Sequence, residues 1–145
     1  MSIEEKLGIT FSNESLLESA LTSKPFRNEA RNRGVKLDLV DNEKLAFLGD
    51  AVLELVVRER MFRSIDDLTG VLSSEVDTVV DNHSLYLRAL EVDLKSFMRL
   101  GAGESTDDAG EEKILSRGVE SLIGALYLDQ GLENTASFVF ERLIV

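Results

Sequence analysis

Acidic side chains recur at helical spacing between residues 42 and 55. Glu43 and Asp50 are seven residues apart, so at about 100° per residue they differ by only about 20° around a helix, and Glu54 falls beside them. Carboxylates stacked on one line in this way could take part in catalysis. The same pattern is typical of a charged helix face that meets solvent, and this alternative stays open.

The residues around these acids predict a helix from about Asn42 to Phe62 that begins after Asp41. Its apolar residues recur at helical spacing and predict one buried stripe made of Leu45, Leu48, Val52 and Leu55. A helix can bury such a stripe only against other elements. The candidate acids should therefore lie on this helix outside the part that is buried in the core.

Apolar periodicity of the same kind predicts further helices, and the chain contains one proline. They lie at about residues 2–7, 13–25, 66–80, 85–90, 111–128 and 136–143. Pro25 is expected to close the second of them, because proline disrupts a helix interior. The pattern indicates an all-α fold in a single domain covering residues 1–145.

Composition limits the functions that this chain can carry. The net charge is -11, with 27 acidic against 16 basic residues, which argues against RNA binding by the chain alone. The absence of cysteine excludes disulfides and thiol catalysis. No leader or apolar run long enough for a membrane span is found, so no membrane partner and a cytoplasmic location are expected.

Charge is unevenly placed along the chain. A basic loop is predicted at residues 27–36, where Arg27, Arg31, Arg33 and Lys36 surround Gly34; it is either solvated surface or a place for phosphate contacts. Residues 101–112 are instead acidic and predict a solvated loop. The only histidine, His83, is expected to be a surface or capping residue rather than a catalytic base.

Three segments in order resemble the ribonuclease III family. Asn42–Leu53 is similar to the family signature N-E-R/K-L-E-F-L-G-D, and Leu100–Glu104 is similar to its L-G-x-G-E loop. Ile114–Asp129 is similar to its helix I-L-A-D-x-x-E-A-L-I-G-A-I-Y-L-D. The resemblance implies the helical endonuclease fold of that family. It also implies that residues 1–145 are a nuclease domain without the double-stranded-RNA-binding domain that full ribonuclease III proteins carry.

The site implied by this resemblance is incomplete. The family's four metal-binding carboxylates correspond here to Ala46, Asp50, Arg117 and Glu120. Asp50 and Glu120 therefore remain as catalytic and metal-ligand positions, with Glu43 nearby, and the cofactor of an active site would be Mg²⁺ or Mn²⁺. A cation about 4 Å from a dication opposes it by roughly 8 kcal/mol at an effective dielectric of about 20. We expect Arg117 to pair with Asp50, Glu43 or Glu120 instead.

Three functions follow as hypotheses. The first is a catalytically impaired ribonuclease III-like domain in RNA processing that acts as a dimeric binding or scaffolding module, with double-stranded RNA or an RNA–protein complex as partner. The alternative is an active endoribonuclease that cleaves double-stranded RNA and draws a missing ligand from Glu43, Asp77 or the acidic loop. The third is an acidic helical interaction domain outside RNA biology.

Phe47 is the candidate dimer contact. In ribonuclease III relatives the aromatic residue of the signature projects into a cavity of the partner subunit, and Phe47 occupies that position here. It lies about 100° from Leu48 around the helix, away from the predicted stripe. An exposed aromatic side chain is best covered by a symmetric partner, so a homodimer is expected.

Overall fold

The computed structural model describes residues 1–64, 81–104 and 107–143. In these ranges the α-helices are α1 (Ile3–Leu7), α2 (Glu14–Leu21), α3 (Lys24–Asn32), α4 (Asn42–Ser64), α5 (Asn82–Glu91), α6 (Asp108–Gln130) and α7 (Leu132–Phe138). A 3₁₀ turn spans Leu94–Phe97 and a π-helical turn spans Val139–Leu143. The described residues form no strand, only an isolated bridge between Thr22 and Arg99, so the all-α prediction is confirmed. The helix predicted at 66–80, with Asp77, lies outside the described residues.

Helix α3 corrects two predictions. Pro25 does not close α2, which ends at Leu21; it stands in the first turn of α3, where the missing proline N–H would have had no partner. Ser23 caps this helix, since its Oγ accepts a hydrogen bond from Phe26 N. The predicted basic loop at 27–36 is likewise wrong in part, because Arg27 and Arg31 lie on α3. The non-helical segment between α3 and α4 runs from Arg33 to Asp41.

The buried face of α4 differs from the predicted stripe. Leu45 and Val52 are buried, but Leu48 is half-buried and Leu55 is 51% exposed. Gly49, Leu53, Val56 and Val57 take their place in the core. Taking about 100° per residue, the buried face is centred between Gly49 and Leu53, which leaves Leu48 about 120° and Leu55 about 140° from that centre. The difference arises because the Gly49 side of α4 packs directly against the backbone of Glu120 and Gly124.

Two glycines determine how closely α4 and α6 approach. A Cβ placed on Gly49 would lie 1.8 Å from the backbone oxygen of Glu120, and a Cβ on Gly124 would lie 2.2 Å from that of Leu45. The helices thus cross with backbone against backbone, around a core that includes Leu53, Ile123 and Leu126. This crossing brings Asp50 next to Glu120 on its solvent-facing side.

None of the described helices has both the length and the apolar character needed to cross a membrane.

Candidate functional site

An open cleft beside the crossing of α4 and α6 collects the predicted site residues. Its lining consists of Glu43, Ala46, Phe47, Asp50, Asn82, Lys113, Ser116, Arg117 and Glu120. All six positions singled out from the sequence are therefore neighbours in space, although they come from two segments far apart in the chain. Helical spacing explains the arrangement on each side: Glu43 and Asp50 are seven residues apart on α4, while Arg117 and Glu120 are three apart on α6.

Glu120 is the most perturbed acid of the cleft. Burial raises the pKa of Glu120 to about 7, and the nearby charge and hydrogen bond of Asp50 act in the same direction. Arg117 opposes this shift but does not cancel it. Asp50 itself is exposed to solvent. The two carboxyl groups are thus close enough to interact, and burial with the nearby charge of Asp50 favours the protonated form of Glu120.

Arg117 makes the cross-helix contact that was expected for it, and Glu43 is its partner. The Nη1 of Arg117 donates a hydrogen bond to Oε1 of Glu43 at 3.0 Å. Both side chains keep partial contact with solvent, so the pair is partly screened. The contact nevertheless places a permanent positive charge inside the acidic cleft, where the resemblance to ribonuclease III would place a carboxylate.

The donor set of the cleft does not fit the four-carboxylate metal site. Ala46 contributes a methyl group and is 7% exposed, Arg117 contributes a cation, and Glu43 is engaged by that cation. Asp50 and Glu120 remain as oxygen donors. Within the described ranges, no group of three or more acids, histidines or cysteines is arranged to hold a metal ion.

The acidic segment at 101–112 directs its carboxylates elsewhere. Glu104 accepts hydrogen bonds from Ser23 Oγ at 2.6 Å and from Gly101 N at 2.5 Å, so it anchors its own loop to the start of α3. Glu111 pairs with Lys95 and Glu112 with His83, at 3.0 and 3.1 Å. The prediction of a wholly solvated loop is therefore wrong for Glu104, because a specific hydrogen-bonding role cannot be inferred from charge alone. His83 is exposed, as predicted.

Comparison with known proteins agrees with the helical fold described above. Residues 13–145 match a family model described as Ribonuclease-III-like. The chain belongs to the ribonuclease III-like family. It is 42% identical to Ribonuclease 3 of Bdellovibrio bacteriovorus over 99% of this chain and 60% of that protein. It is 41% identical to Ribonuclease 3 of Oceanobacillus iheyensis over 94% of this chain and 59% of that protein.

The fold also matches solved structures of this family. A nuclease domain of ribonuclease III from Campylobacter jejuni, described as flexible in a region involved in dimer formation, aligns with a TM-score of 0.82 and 32% identity. The alignment covers 97% of this chain and 93% of that one. The chain spans about three fifths of the length of the Ribonuclease 3 proteins that it matches.

The ribonuclease III-like domain exposes an apolar strip along α4 next to the cleft. Phe47 is 84% exposed, as predicted, and Leu55 and Phe62 are 51% and 71% exposed. With Ala51 these residues fall within about 80° of one another around the helix, so they share one side of α4, where Arg58 lies between Leu55 and Phe62. An exposed apolar surface of this kind is typical of a protein–protein contact.

Sequence analysis missed three residues of the cleft: Asn82, Lys113 and Ser116. Lys113 lies four residues before Arg117 on α6, and this helical spacing could have identified it as a second cation facing the same side. Ser116 is buried and donates its hydroxyl to Lys113 O, so its role there is in packing. Asn82 begins α5 and carried no sequence signal.

Proposed function

We propose that this ribonuclease III-like domain acts in RNA processing as a dimeric binding module whose own RNA-cleaving chemistry is impaired. The observation that carries the proposal is the contact between Arg117 and Glu43 within the acidic cleft. In metal-dependent hydrolysis, bound Mg²⁺ lowers the pKa of a water molecule and stabilises the leaving oxygen. A guanidinium fixed among the acids neutralises them without supplying either effect.

The replacement of two acids supports this proposal more strongly than either change alone. Ala46 removes one oxygen donor. Arg117 removes another and adds a positive charge, which repels a metal ion. At about 4 Å and an effective dielectric of about 20, the repulsion energy is about 4 kcal/mol for each unit charge on the ion. Two of the alternative ligands that the sequence suggested are also engaged, Glu43 by Arg117 and Glu104 by Ser23, while Asp77 lies outside the described residues. Glu43 and Glu104 would each have to give up a present partner before binding an ion.

A second candidate function is an active endoribonuclease that cleaves double-stranded RNA. It is favoured by the closeness of Asp50 and Glu120, because two carboxylates are sufficient to hold Mg²⁺ when water molecules complete its shell. The two proposals differ in what the unmodified chain does to duplex RNA in the presence of Mg²⁺ or Mn²⁺.

A cleavage assay with four proteins separates these proposals. The unmodified chain, Ala46→Glu, Arg117→Asp and the double variant are incubated with labelled duplex RNA and Mn²⁺. We expect cleavage only from the double variant, because a carboxylate introduced at position 46 beside Arg117 would simply become a further partner of the cation. Efficient cleavage by the unmodified chain, abolished by Asp50→Asn, would establish the second candidate instead.

Calorimetric titration with Mn²⁺ provides a readout that does not depend on catalysis. We expect weak or undetectable binding by the unmodified chain and measurable binding by the double variant. Micromolar affinity in the unmodified chain that is lost in Asp50→Asn would contradict the proposed impairment.

Dimer formation is the remaining part of the proposal. It is supported by the exposed strip on α4, and by the description of the Campylobacter jejuni domain, which includes a region involved in dimer formation. The partners proposed are a second copy of this chain and double-stranded RNA or an RNA–protein complex.

A further inference from the structure

The end of α3 is folded back on itself by a glycine turn. Gly34 adopts a left-handed φ of +81°, its N–H donates to Arg31 O at 3.0 Å, and Val35 N–H donates to Ala30 O at 2.8 Å. This pair of contacts satisfies the last carbonyl groups of the helix and reverses the chain. Lys36 is thereby carried back towards the helix.

The reversal creates an open basic groove. Its lining is Arg27, Arg31, Gly34, Val35, Lys36 and Leu37. Arg27 and Arg31 are four residues apart on α3, so they share one side of the helix, and the returning chain adds Lys36 opposite them. The three basic residues therefore line the same groove.

The positive charge of the groove is poorly compensated. In the described part of the chain, neither Arg31 nor Lys36 has an ion-pair partner, and both are exposed. Arg27 lies 3.8 Å from Asp41, near the limit of an ion pair, and its Nε has no hydrogen-bond partner. The acid on the same helix, Glu29, is used elsewhere, because it accepts a hydrogen bond from Ala102 N at 2.9 Å.

Some cations of the domain already have acidic partners. Arg63 pairs with Glu59 and Lys95 pairs with Glu111, each at 3.0 Å. In a chain with a net charge of -11, this groove nevertheless collects three basic residues around one space. Such a groove attracts an anionic ligand locally even though the whole domain repels one.

We propose that the basic groove of Arg27, Arg31 and Lys36 binds the phosphate backbone of duplex RNA. Guanidinium groups match phosphate oxygens in geometry and keep their charge, and duplex RNA is recognised largely through its backbone. The inference rests on the proposed function, since it supplies the contact by which an impaired domain holds RNA. The groove lies on α3, whereas the acidic cleft lies between α4 and α6, so binding and chemistry use separate surfaces.

The test compares two double variants of the full chain. Arg31→Gln with Lys36→Gln removes two uncompensated cations from the groove. Arg63→Gln with Lys95→Gln removes one arginine and one lysine that already have acidic partners, so the change in net charge is the same. All four positions are exposed, and circular dichroism verifies that each variant keeps its helices. Binding of a fluorescent RNA duplex is followed by anisotropy in a chelating buffer over a series of salt concentrations.

We expect the groove variant to bind RNA about tenfold or more weakly and its logarithmic salt dependence to fall by about 1 or more, because phosphate contacts are lost. The control variant should stay within about twofold of the unmodified chain. Equal losses in both variants would overturn the proposal, since net charge alone would then explain them. Unchanged RNA binding together with weakened dimerisation would overturn it in favour of an acidic surface of a second copy.

Binding in chelating buffer separates this inference from the proposed function. If the unmodified chain and the groove variant bind RNA equally well and neither cleaves it, the groove assignment fails while the impaired binding module stands. If the unmodified chain cleaves RNA once metal is added, the impairment fails while a tenfold difference between the variants still supports the groove.

Discussion

Gly49 and Gly124 face each other where α4 and α6 cross. A Cβ on Gly49 would lie 2.9 Å from Gly124 N, and a Cβ on Gly124 would lie 3.1 Å from Gly49 N. Both helices are 23 residues long, and neither glycine needs an unusual φ. Their contribution is the lack of a side chain, which lets the backbones touch and places Asp50 beside Glu120.

The crossing predicts that Gly124→Ala destabilises the domain. The new methyl group would meet the backbone oxygen of Leu45 at 2.2 Å, and a backbone group cannot move aside as a flexible side chain can. We expect a loss of about 3 kcal/mol or more in the free energy of unfolding, despite the higher helix propensity of alanine. Chemical denaturation measures it. Gly103→Ala is the control, because a Cβ there meets nothing within 4 Å; equal stability of the two variants would contradict the close approach.

Two leucines of α4, Leu48 and Leu53, are buried to different extents, although the sequence alone does not distinguish them. Leu53 is 1% exposed, and Leu53→Ala should cost about 2 to 5 kcal/mol. Leu48 is half-buried, so we expect Leu48→Ala to cost clearly less, about 1 kcal/mol, as fewer contacts are lost. Urea titration of both variants measures the difference. A larger loss for Leu48→Ala than for Leu53→Ala would restore the stripe predicted from sequence.

The raised pKa of Glu120 predicts a specific dependence of stability on pH. Its pKa is about 7 in the folded protein against 4.5 as the ordinary value, so its contribution to stability is complete below pH 4.5 and is lost as pH rises through 7. The full shift would correspond to about 3 kcal/mol, and because Glu120 keeps partial contact with solvent, the expected loss is reduced to on the order of 2 kcal/mol. Glu120→Gln lacks this titration, and its stability relative to the unmodified chain should therefore increase between pH 5 and 8.

Denaturation at several pH values in chelating buffer checks this prediction. Asp50→Asn is the informative control, because it removes the neighbouring charge that helps to raise the pKa of Glu120. It should reduce the pH dependence without abolishing it, since burial remains the larger cause. A constant stability difference between Glu120→Gln and the unmodified chain would mean that Glu120 titrates as an ordinary glutamate.

The exposed strip predicts that Phe47→Asp converts a dimer into a monomer. Phe47 is 84% exposed, and a charge in the middle of an apolar contact would have to be desolvated on association. Leu90→Asp is the matched control, because Leu90 is also an exposed apolar residue but lies on α5, off the strip. Sedimentation at micromolar concentration distinguishes the two. Dimers of equal strength in both variants would place the interface elsewhere.

Much of the domain could be predicted from the spacing and motifs of residues along the chain. Helical periodicity indicated an all-α fold, and the signature segments placed Asp50, Glu120 and Arg117 in one site before their distances were known. Helical spacing also placed Phe47 away from the core. Helices and the angular positions of residues could be predicted because they depend on neighbours within a few turns. The common site of Asp50, Glu120 and Arg117 was implied only by the resemblance to the ribonuclease III family.

Tertiary structure decided which apolar residues of α4 are buried, which acid pairs with Arg117 and where the basic residues meet. The choice of Gly49 and Leu53 over Leu48 and Leu55 depends on the backbone of α6, and the choice of Glu43 depends on the crossing of the same two helices. Neither partner is close in sequence. The physical reason is that helical period gives each residue an angle on its own helix, whereas packing between distant segments decides which of those angles faces the core, the cleft or the solvent.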